Sequence, residues 1–374
     1  MRILVTGARG FMGRNLCLRL AERAEIDVLP FVRGQSQEDL TAALDAADWV
    51  VHLAGVNRPE DPTEFMRGNA DLTRALCKAL ALQANQGRFV PVICSSSIQA
   101  AQDNPYGRSK LAAEEALFSL HRQCGVPVHI FRLPNVFGKW CKPNYNSAVA
   151  TFCHNLSRDL PIQIHDPEAP LTLVHIDDVL NRFLQLIDGA TPSQDAHGFE
   201  QVSPQYATTV GQVASLIQAF RAGRDTLHTE RVGTGLVRAL YSTYVSYLQP
   251  EMFSYPVPMY GDARGVFAEM LKTPDCGQFS YFTAHPGITR GGHYHHAKTE
   301  KFLVLQGKAR FRFRHMDSGD TYELDTSGDK AVVVETVPGW THDITNVGSD
   351  TMVVMLWANE VFDRNRPDTV ACPI

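Results

Sequence analysis

The apolar run Ile3-Leu4-Val5 leads directly into Thr6-Gly7-Ala8-Arg9-Gly10-Phe11-Met12-Gly13. A buried strand that ends in closely spaced glycines and opens an amphipathic segment predicts a strand–turn–helix unit. Glycines there permit a tight turn and let backbone N–H groups approach an anion at the helix start. The same rhythm continues downstream. Val28 to Val32, Trp49 to Leu53, Val90 to Cys94 and Val128 to Leu133 are further compact apolar runs, and Arg14 to Ala24 and Leu72 to Leu82 read as helices between them. Runs of this kind are strands buried on both faces. The first two-thirds of the chain is therefore expected to be α/β, a Rossmann-type doubly wound parallel sheet.

The texture changes near Tyr241. Tyr241, Tyr244 and Tyr247 recur at helical spacing, and then Pro250, Pro256 and Pro258 interrupt. The tyrosines predict a helical packing stripe, with an interdomain or subunit contact as the alternative. A boundary falls here, giving expected domains of residues 1–245 and 255–374. Beyond it, Arg310-Phe311-Arg312-Phe313-Arg314 puts Phe on one strand face and Arg on the other. Val332 to Val334 and Met352 to Trp357 are further strand-like runs without a long helix between them. An all-β barrel or sandwich is expected.

Composition bounds the function. A net charge of −5 without a Lys/Arg block argues against nucleic acid as the main partner. Eight cysteines without a C-x-x-C pair read as thiols in a reducing compartment. No apolar run approaches the ~18 residues of a membrane span. The chain enters its first strand at once, so no membrane association and a cytoplasmic location are expected.

Three groups of residues point to chemistry in the first region. Arg33 stands at the end of the second run, where a dinucleotide fold often places an acid on the ribose 2′-OH. A guanidinium there can pair with a 2′-phosphate, which favours NADPH over NADH, and Arg9 is a second candidate. The plainer reading of Arg33 is a solvated loop charge. Tyr106 and Lys110 are four apart in Tyr106-Gly107-Arg108-Ser109-Lys110 and share a helix face. Lys110 can lower the Tyr106 pKa and hold the nicotinamide ribose, while the phenol donates a proton to a carbonyl oxygen. Ser95-Ser96-Ser97 closes a strand, where a hydroxyl can polarise the same carbonyl.

Gly7-x-x-Gly10-x-x-Gly13, Leu53-Ala54-Gly55, Ser97 and Tyr106-x-x-x-Lys110 together resemble the extended short-chain dehydrogenase/reductase family over residues 1 to about 245. The resemblance implies Ser97, Tyr106 and Lys110 as catalytic residues, with Ser96 as the alternative serine. It implies cofactor contacts from Gly7, Arg9, Gly10, Phe11, Gly13, Arg33, Leu53, Ala54, Gly55, Tyr106 and Lys110. Extended members mostly act on nucleotide sugars. Arg132 to Gly138 resembles the segment where their substrate recognition begins, and Asn135 and Lys142 are candidates for diphosphate or uridine contacts. His175, in a later Val174-His175-Ile176-Asp177-Asp178-Val179 stretch, reads first as a structural turn histidine.

The second region carries Gly287-x5-His293-Tyr294-His295-x4-Glu300-x6-Gly307 and, later, Pro338-Gly339-Trp340-Thr341-His342. On a strand, His293 and His295 point to one face. Three imidazoles and a carboxylate from His293, His295, Glu300 and His342 suit one divalent metal. His296 should face away and is excluded. The two segments resemble the two motifs of cupins, which implies a cupin barrel. Zn, Mn, Fe, Ni and Co all suit the donors, and an epimerisation without redox change favours Zn. Arg290-Gly291-Gly292-His293 also resembles metal-free cupin sugar epimerases, where that His is the catalytic base.

In this domain order the whole chain resembles the bifunctional reductase–epimerase enzymes of UDP-N-acetyl-L-fucosamine and capsular polysaccharide synthesis. Ser95 to Ala100, Asp103 to Gly107, Phe137 to Ser147 and His293 to His296 carry the likeness. It implies C3 epimerisation of a UDP-4-keto-2-acetamido-2,6-dideoxyhexose in the cupin. NADPH reduction at C4 would follow, giving UDP-2-acetamido-2,6-dideoxy-L-talose. It also implies a homodimer. The alternatives are a monofunctional reductase whose cupin binds or dimerises, and an NADPH-binding redox sensor. The latter has no need of the Ser97, Tyr106 and Lys110 set.

Overall fold

The computed structural model describes residues 1–262, 265–268, 270–273, 277–360, 363 and 365–374, with the backbone alone over 259–268. Packing divides the chain into two units, Met1–Phe137 with Leu171–Ala207, and Gly138–Pro170 with Thr208–Ile374. This line differs from the boundary read along the sequence, because helices from the first two-thirds of the chain pack with the C-terminal strands.

In the first unit, β1 (Arg2–Thr6), β2 (Asp27–Phe31), β3 (Trp49–His52), β4 (Val92–Ser97) and β5 (Val128–Leu133) form a parallel sheet in the order β2-β1-β3-β4-β5. Alternate residues serve opposite faces. Ile3, Val5, Val51, Ile93 and Phe131 pack against Leu16, Leu20, Val179 and Phe183. Leu4, Val50, Val92 and Ile130 pack against Leu40, Leu76, Leu80 and Leu117. Burial on both faces explains the apolar character of the inner strands, while edge strand β2 is only partly buried, and each fully buried apolar side chain contributes about 1.5–3 kcal/mol. Strand order reverses between β1 and β3, and ligands of such sheets bind at that switch point beyond the strand C-termini.

The second unit contains two antiparallel five-stranded sheets of a cupin-like domain. One runs in the order 278–284, 352–358, 300–306, 332–335, 254–256, and the other 321–327, 308–315, 340–346, 289–294, 370–371. The alternation at 310–314 resolves as expected. Phe311 and Phe313 are buried, while Arg310 and Arg312 pair with Asp325 and Asp343. Helices Ala148–Leu156, Val210–Thr226 and Gly235–Val245 pack on one another. Arg224 from the second of these joins Lys301 on the buried Glu335 of the barrel. Tyr241 and Tyr244 are buried against Phe220, so this part of the stripe is a packing face. No helix among the described residues is long and apolar enough to cross a membrane.

Candidate active sites

The first candidate site forms where β1 and β3 end. Gly7 has φ +69°, and a Cβ there would lie 2.8 Å from the Ala54 Cα. A Cβ on Gly13 would collide with the Gly7 carbonyl oxygen and stand 2.7 Å from the Ala8 Cα. Only glycine lets helix Phe11–Ala21 start this close to the turn. That helix is capped by Gly10 without a side-chain hydrogen bond, and its first turn holds no acid. Its N–H groups and the positive end of its dipole suit a pyrophosphate. Leu53 and Ala54 are half-buried at the end of β3, and Gly55 is exposed. Arg9 is exposed, and Arg33 is exposed with its guanidinium 3.6 Å from Glu64. Glu64 also faces Arg67 at 3.6 Å, so two cations share one acid there.

Tyr106 and Lys110 lie on helix Pro105–Cys124, which is capped by Asn104 through its side chain and starts on Pro105. Lys110 Nζ donates to the Ser95 carbonyl at 3.1 Å, which anchors the amine against β4. The Tyr106 ring packs on Phe65. Ser97 ends β4, half-buried, and its Oγ accepts from the Gln99 N–H at 3.2 Å. Ser96 is buried and donates to Glu114 at 2.5 Å, and Glu114 is paired with Arg132 at 2.6 Å. Its hydroxyl is thus committed to an ion pair.

A buried polar relay lies behind these groups. The Thr6 hydroxyl donates to His52 Nδ1 at 2.7 Å, and His52 Nε2–H donates to the Thr73 hydroxyl at 2.9 Å. Thr73 in turn donates to the Asn69 carbonyl. Burial, and next the charge of Lys110, push His52 down to about 3, so the ring is neutral. The Asn69 side chain bridges Val56 and Ser109 from a π-helical turn, Met66–Asp71. Such turns frequently occur at functional sites. Asn69, Thr73 and Glu114 gave no motif to read, because their roles depend on which elements meet. Asn135, exposed at the start of strand Asn135–Phe137, approaches the Thr172 carbonyl at 3.5 Å. Lys142 belongs to the second unit, exposed beside the Tyr145 ring. His175 is buried at the start of helix Ile176–Ile187, with its ring against Phe137.

In the second unit His293, His295, Glu300 and His342 converge, with their donor atoms all within 4.8 Å of one another. The strand ends at Tyr294, so His295 is the first residue past it. A β-bulge between Gly291 and His293 sets His293 opposite His342 on the neighbouring strand. Such an extra residue re-aims a side chain. His295 Nε2 is 3.1 Å from Glu300 Oε2, and His342 Nε2 is 3.7 Å from the same oxygen. Both ring nitrogens of His342 are buried without a hydrogen-bond partner. Unsatisfied groups of this kind cost about 1–3 kcal/mol each, and a cation bound by one of these nitrogens would remove its share of that cost. Burial, with His342 and His295 nearby, pushes His293 down to about 3, so its ring is neutral and able to ligate. Burial works to raise Glu300, but His295, His342 and Lys298 outweigh it and hold the carboxyl ionised, well below its ordinary range. A neutral His293 ring beside an ionised carboxylate, with the ring nitrogens of His295 and His342 converging on it, fits a divalent ion. His296 stands outside the cluster, its Nδ1 3.2 Å from Lys139 Nζ.

The two regions match known protein families. Residues 3–197 match the NAD dependent epimerase/dehydratase family, and residues 260–370 match the polysaccharide biosynthesis C-terminal domain. The chain is 60% identical over 374 residues to the UDP-2-acetamido-2,6-beta-L-arabino-hexul-4-ose reductase of Pseudomonas aeruginosa PA103, covering 100% of this chain and 99% of that one. The capsular polysaccharide assembling protein CapF from Staphylococcus aureus is 42% identical with a TM-score of 0.68, over 100% of both chains. The UDP-glucuronic acid 4-epimerase of Bacillus cereus, solved with NAD, covers 59% of this chain and 85% of its own. At 19% identity and a TM-score of 0.51 it shows the fold of the first region alone.

Proposed function

The chain belongs to the NAD dependent epimerase/dehydratase family, in a form that continues into a polysaccharide biosynthesis C-terminal domain, and from that premise we propose a two-activity nucleotide-sugar enzyme. Its substrate is a UDP-4-keto-2-acetamido-2,6-dideoxyhexose. The cupin module, residues 255–374, inverts C3, and the reductase module, residues 1–245, reduces the C4 ketone to give UDP-2-acetamido-2,6-dideoxy-L-talose for capsule or O-antigen synthesis. The reductase half rests on 60% identity along the full length to a reductase named for such a keto sugar. The observation that carries the second half is the four-donor cluster with an orphaned, buried His342.

NADPH would lie on Gly7, Gly10, Phe11 and Gly13, with Arg9 and Arg33 on its 2′-phosphate, and Leu53, Ala54 and Gly55 beside it. A divalent ion, Zn by the lack of redox change, would sit between His293, His295, Glu300 and His342. When bound, the dinucleotide supplies hydride and the ion supplies Lewis acidity. The residues do the rest. Tyr106 gives its phenolic proton to the C4 oxygen as that carbon is reduced. Lys110, held by the Ser95 carbonyl, keeps a positive charge near the phenol. Ser97 donates to the same oxygen, since the Ser96 hydroxyl is taken by Glu114. Asn135 and Lys142 are assigned to the UDP moiety.

One ketone serves both steps. It acidifies the neighbouring C3–H, so a proton can leave and return on the other face, and its reduction then stops the reversal. We assign the enzyme to the cytoplasm, as a homodimer that needs no membrane or nucleic acid.

Incubation with the keto sugar in D2O tests this. Without NADPH, deuterium should enter C3. With NADPH, NMR should show the 6-deoxy-talo product. A second reading has one observation in its favour, since the Pseudomonas relative is named as a reductase only. There the cupin is a binding or dimerisation module, and C3 takes up no deuterium at any metal content.

A further inference from the structure

The last residues of the chain return to the four-donor cluster. Val370 and Ala371 pair with Tyr294 and His293. The Cys372 N–H donates to the Gly292 carbonyl at 2.7 Å, and the Thr341 hydroxyl donates to the Cys372 carbonyl. The segment therefore touches both strands that carry histidine donors.

Asp368 makes two separate attachments. Its main-chain carbonyl accepts from His295 Nδ1 at 2.5 Å. That bond places a proton on Nδ1, so that Nε2, 3.1 Å from Glu300 Oε2, is the nitrogen left for a cation. Its carboxylate accepts from three successive backbone N–H groups, His296 at 2.9 Å and Ala297 and Lys298 at 2.7 Å each. These residues are the connection between two donors, His295 and Glu300. The same connection carries Lys298, whose Nζ lies 2.8 Å from Glu300 Oε1, while Oε2 faces His295 and His342. Arg238, itself paired with Glu360 at 2.8 Å, stands 3.9 Å from the Asp368 carboxylate.

We propose that Asp368 is a positioning residue for a divalent cation, and that the C-terminal segment is a working part of the metal centre. This rests on the metal reading of the four donors given above. The Asp368 carbonyl sets the His295 tautomer. Its carboxylate fixes the 296–298 turn, so that His295 and Glu300 meet a cation with their donor atoms already aimed. Charge-assisted bonds to backbone N–H are strong and directional, and loss of such outer partners typically weakens metal binding by about 10–100-fold.

The test uses the full-length protein, zinc alone and a chromophoric competitor chelator. Asp368→Asn keeps the size and the main-chain carbonyl but offers one acceptor oxygen where three N–H groups use two. Zinc affinity should fall by about 10–100-fold, and the visible absorption of the cobalt-loaded protein should shift. A merely structural role would lower the melting temperature and leave the cobalt spectrum at its wild-type position. Asp368→Asn protein that folds and holds zinc as tightly as wild type overturns the proposal. Wild type that takes up no zinc overturns the metal reading itself, which separates the two failures. Where the variant does not fold, hydrogen exchange on zinc-free wild type decides. Amides 296–298 exchanging as slowly as the neighbouring strands support a preset turn, and exchange at exposed-loop rates overturns it.

Discussion

The two candidate sites differ in how far apart in sequence their parts lie. The dinucleotide cradle is built within residues 7–13, and the Tyr106–Lys110 pair within one helix turn. The four-donor cluster draws on residues from 293 to 342, and Asp368 bonds to it from further along the chain. The first works through backbone N–H groups at a helix end, which any short segment of the right conformation can present. The second works through side chains on neighbouring strands, and it exists only once the barrel has closed. The first should therefore tolerate damage to the second, and each site should fail alone.

The sharpest break is His295→Ala. It removes a donor from the cluster, and deuterium uptake at C3 should fall to background, while NADPH oxidation on pre-epimerised ketone continues. Loss of both activities together would defeat the independence of the sites. The converse is Tyr106→Phe, which removes the phenolic proton. NADPH oxidation should fall by about 100- to 10,000-fold, with dinucleotide binding and C3 exchange retained. A small loss in the absorbance assay at 340 nm would move the proton donor elsewhere.

The cradle itself is next. Gly13→Ala places a methyl group against the Gly7 carbonyl and Ala8. Overpacking of this kind costs about 1–3 kcal/mol, readable in urea unfolding, and NADPH affinity should drop with it. Full stability would mean that the helix start has room to move. The smallest effect concerns Arg33, an exposed residue beside Glu64. Arg33→Ala should narrow the preference for NADPH over NADH by about tenfold, or ~1.4 kcal/mol. An unchanged ratio of kcat/KM values would leave Arg9 as the 2′-phosphate partner.

Much was legible from local pattern. The apolar runs at 3–5, 28–32, 49–53 and 128–133 all coincide with strands of the parallel sheet. Burial leaves few polar positions to blur them, His52, His129 and Arg132 among them, while edge strand β2 is only partly buried. The Arg310–Arg314 alternation read equally well, because one strand face packs and the other is solvated. Less legible was what holds the sites in place. Nothing around Asn69 marks a π-turn, and nothing about Ser96 separates it from Ser97 until Glu114 arrives from another element. The expected 1–245 and 255–374 division follows the chain, whereas packing groups residues by burial. Arg224 and Glu335 are 111 positions apart and form one buried ion pair.

The sequence by itself determined the parallel α/β region, the antiparallel β region, the glycine-rich helix start and the identities of the four candidate donors. Those features follow from period, local conformation and residue chemistry, all of which act over a few positions. Tertiary structure decided that the donors converge, that His342 is left with two orphaned nitrogens, and that Asp368 reaches back to hold His295 and the turn after it. Convergence depends on strand pairing, a bulge at Gly291–His293 and the return of the chain end, none of which local spacing specifies.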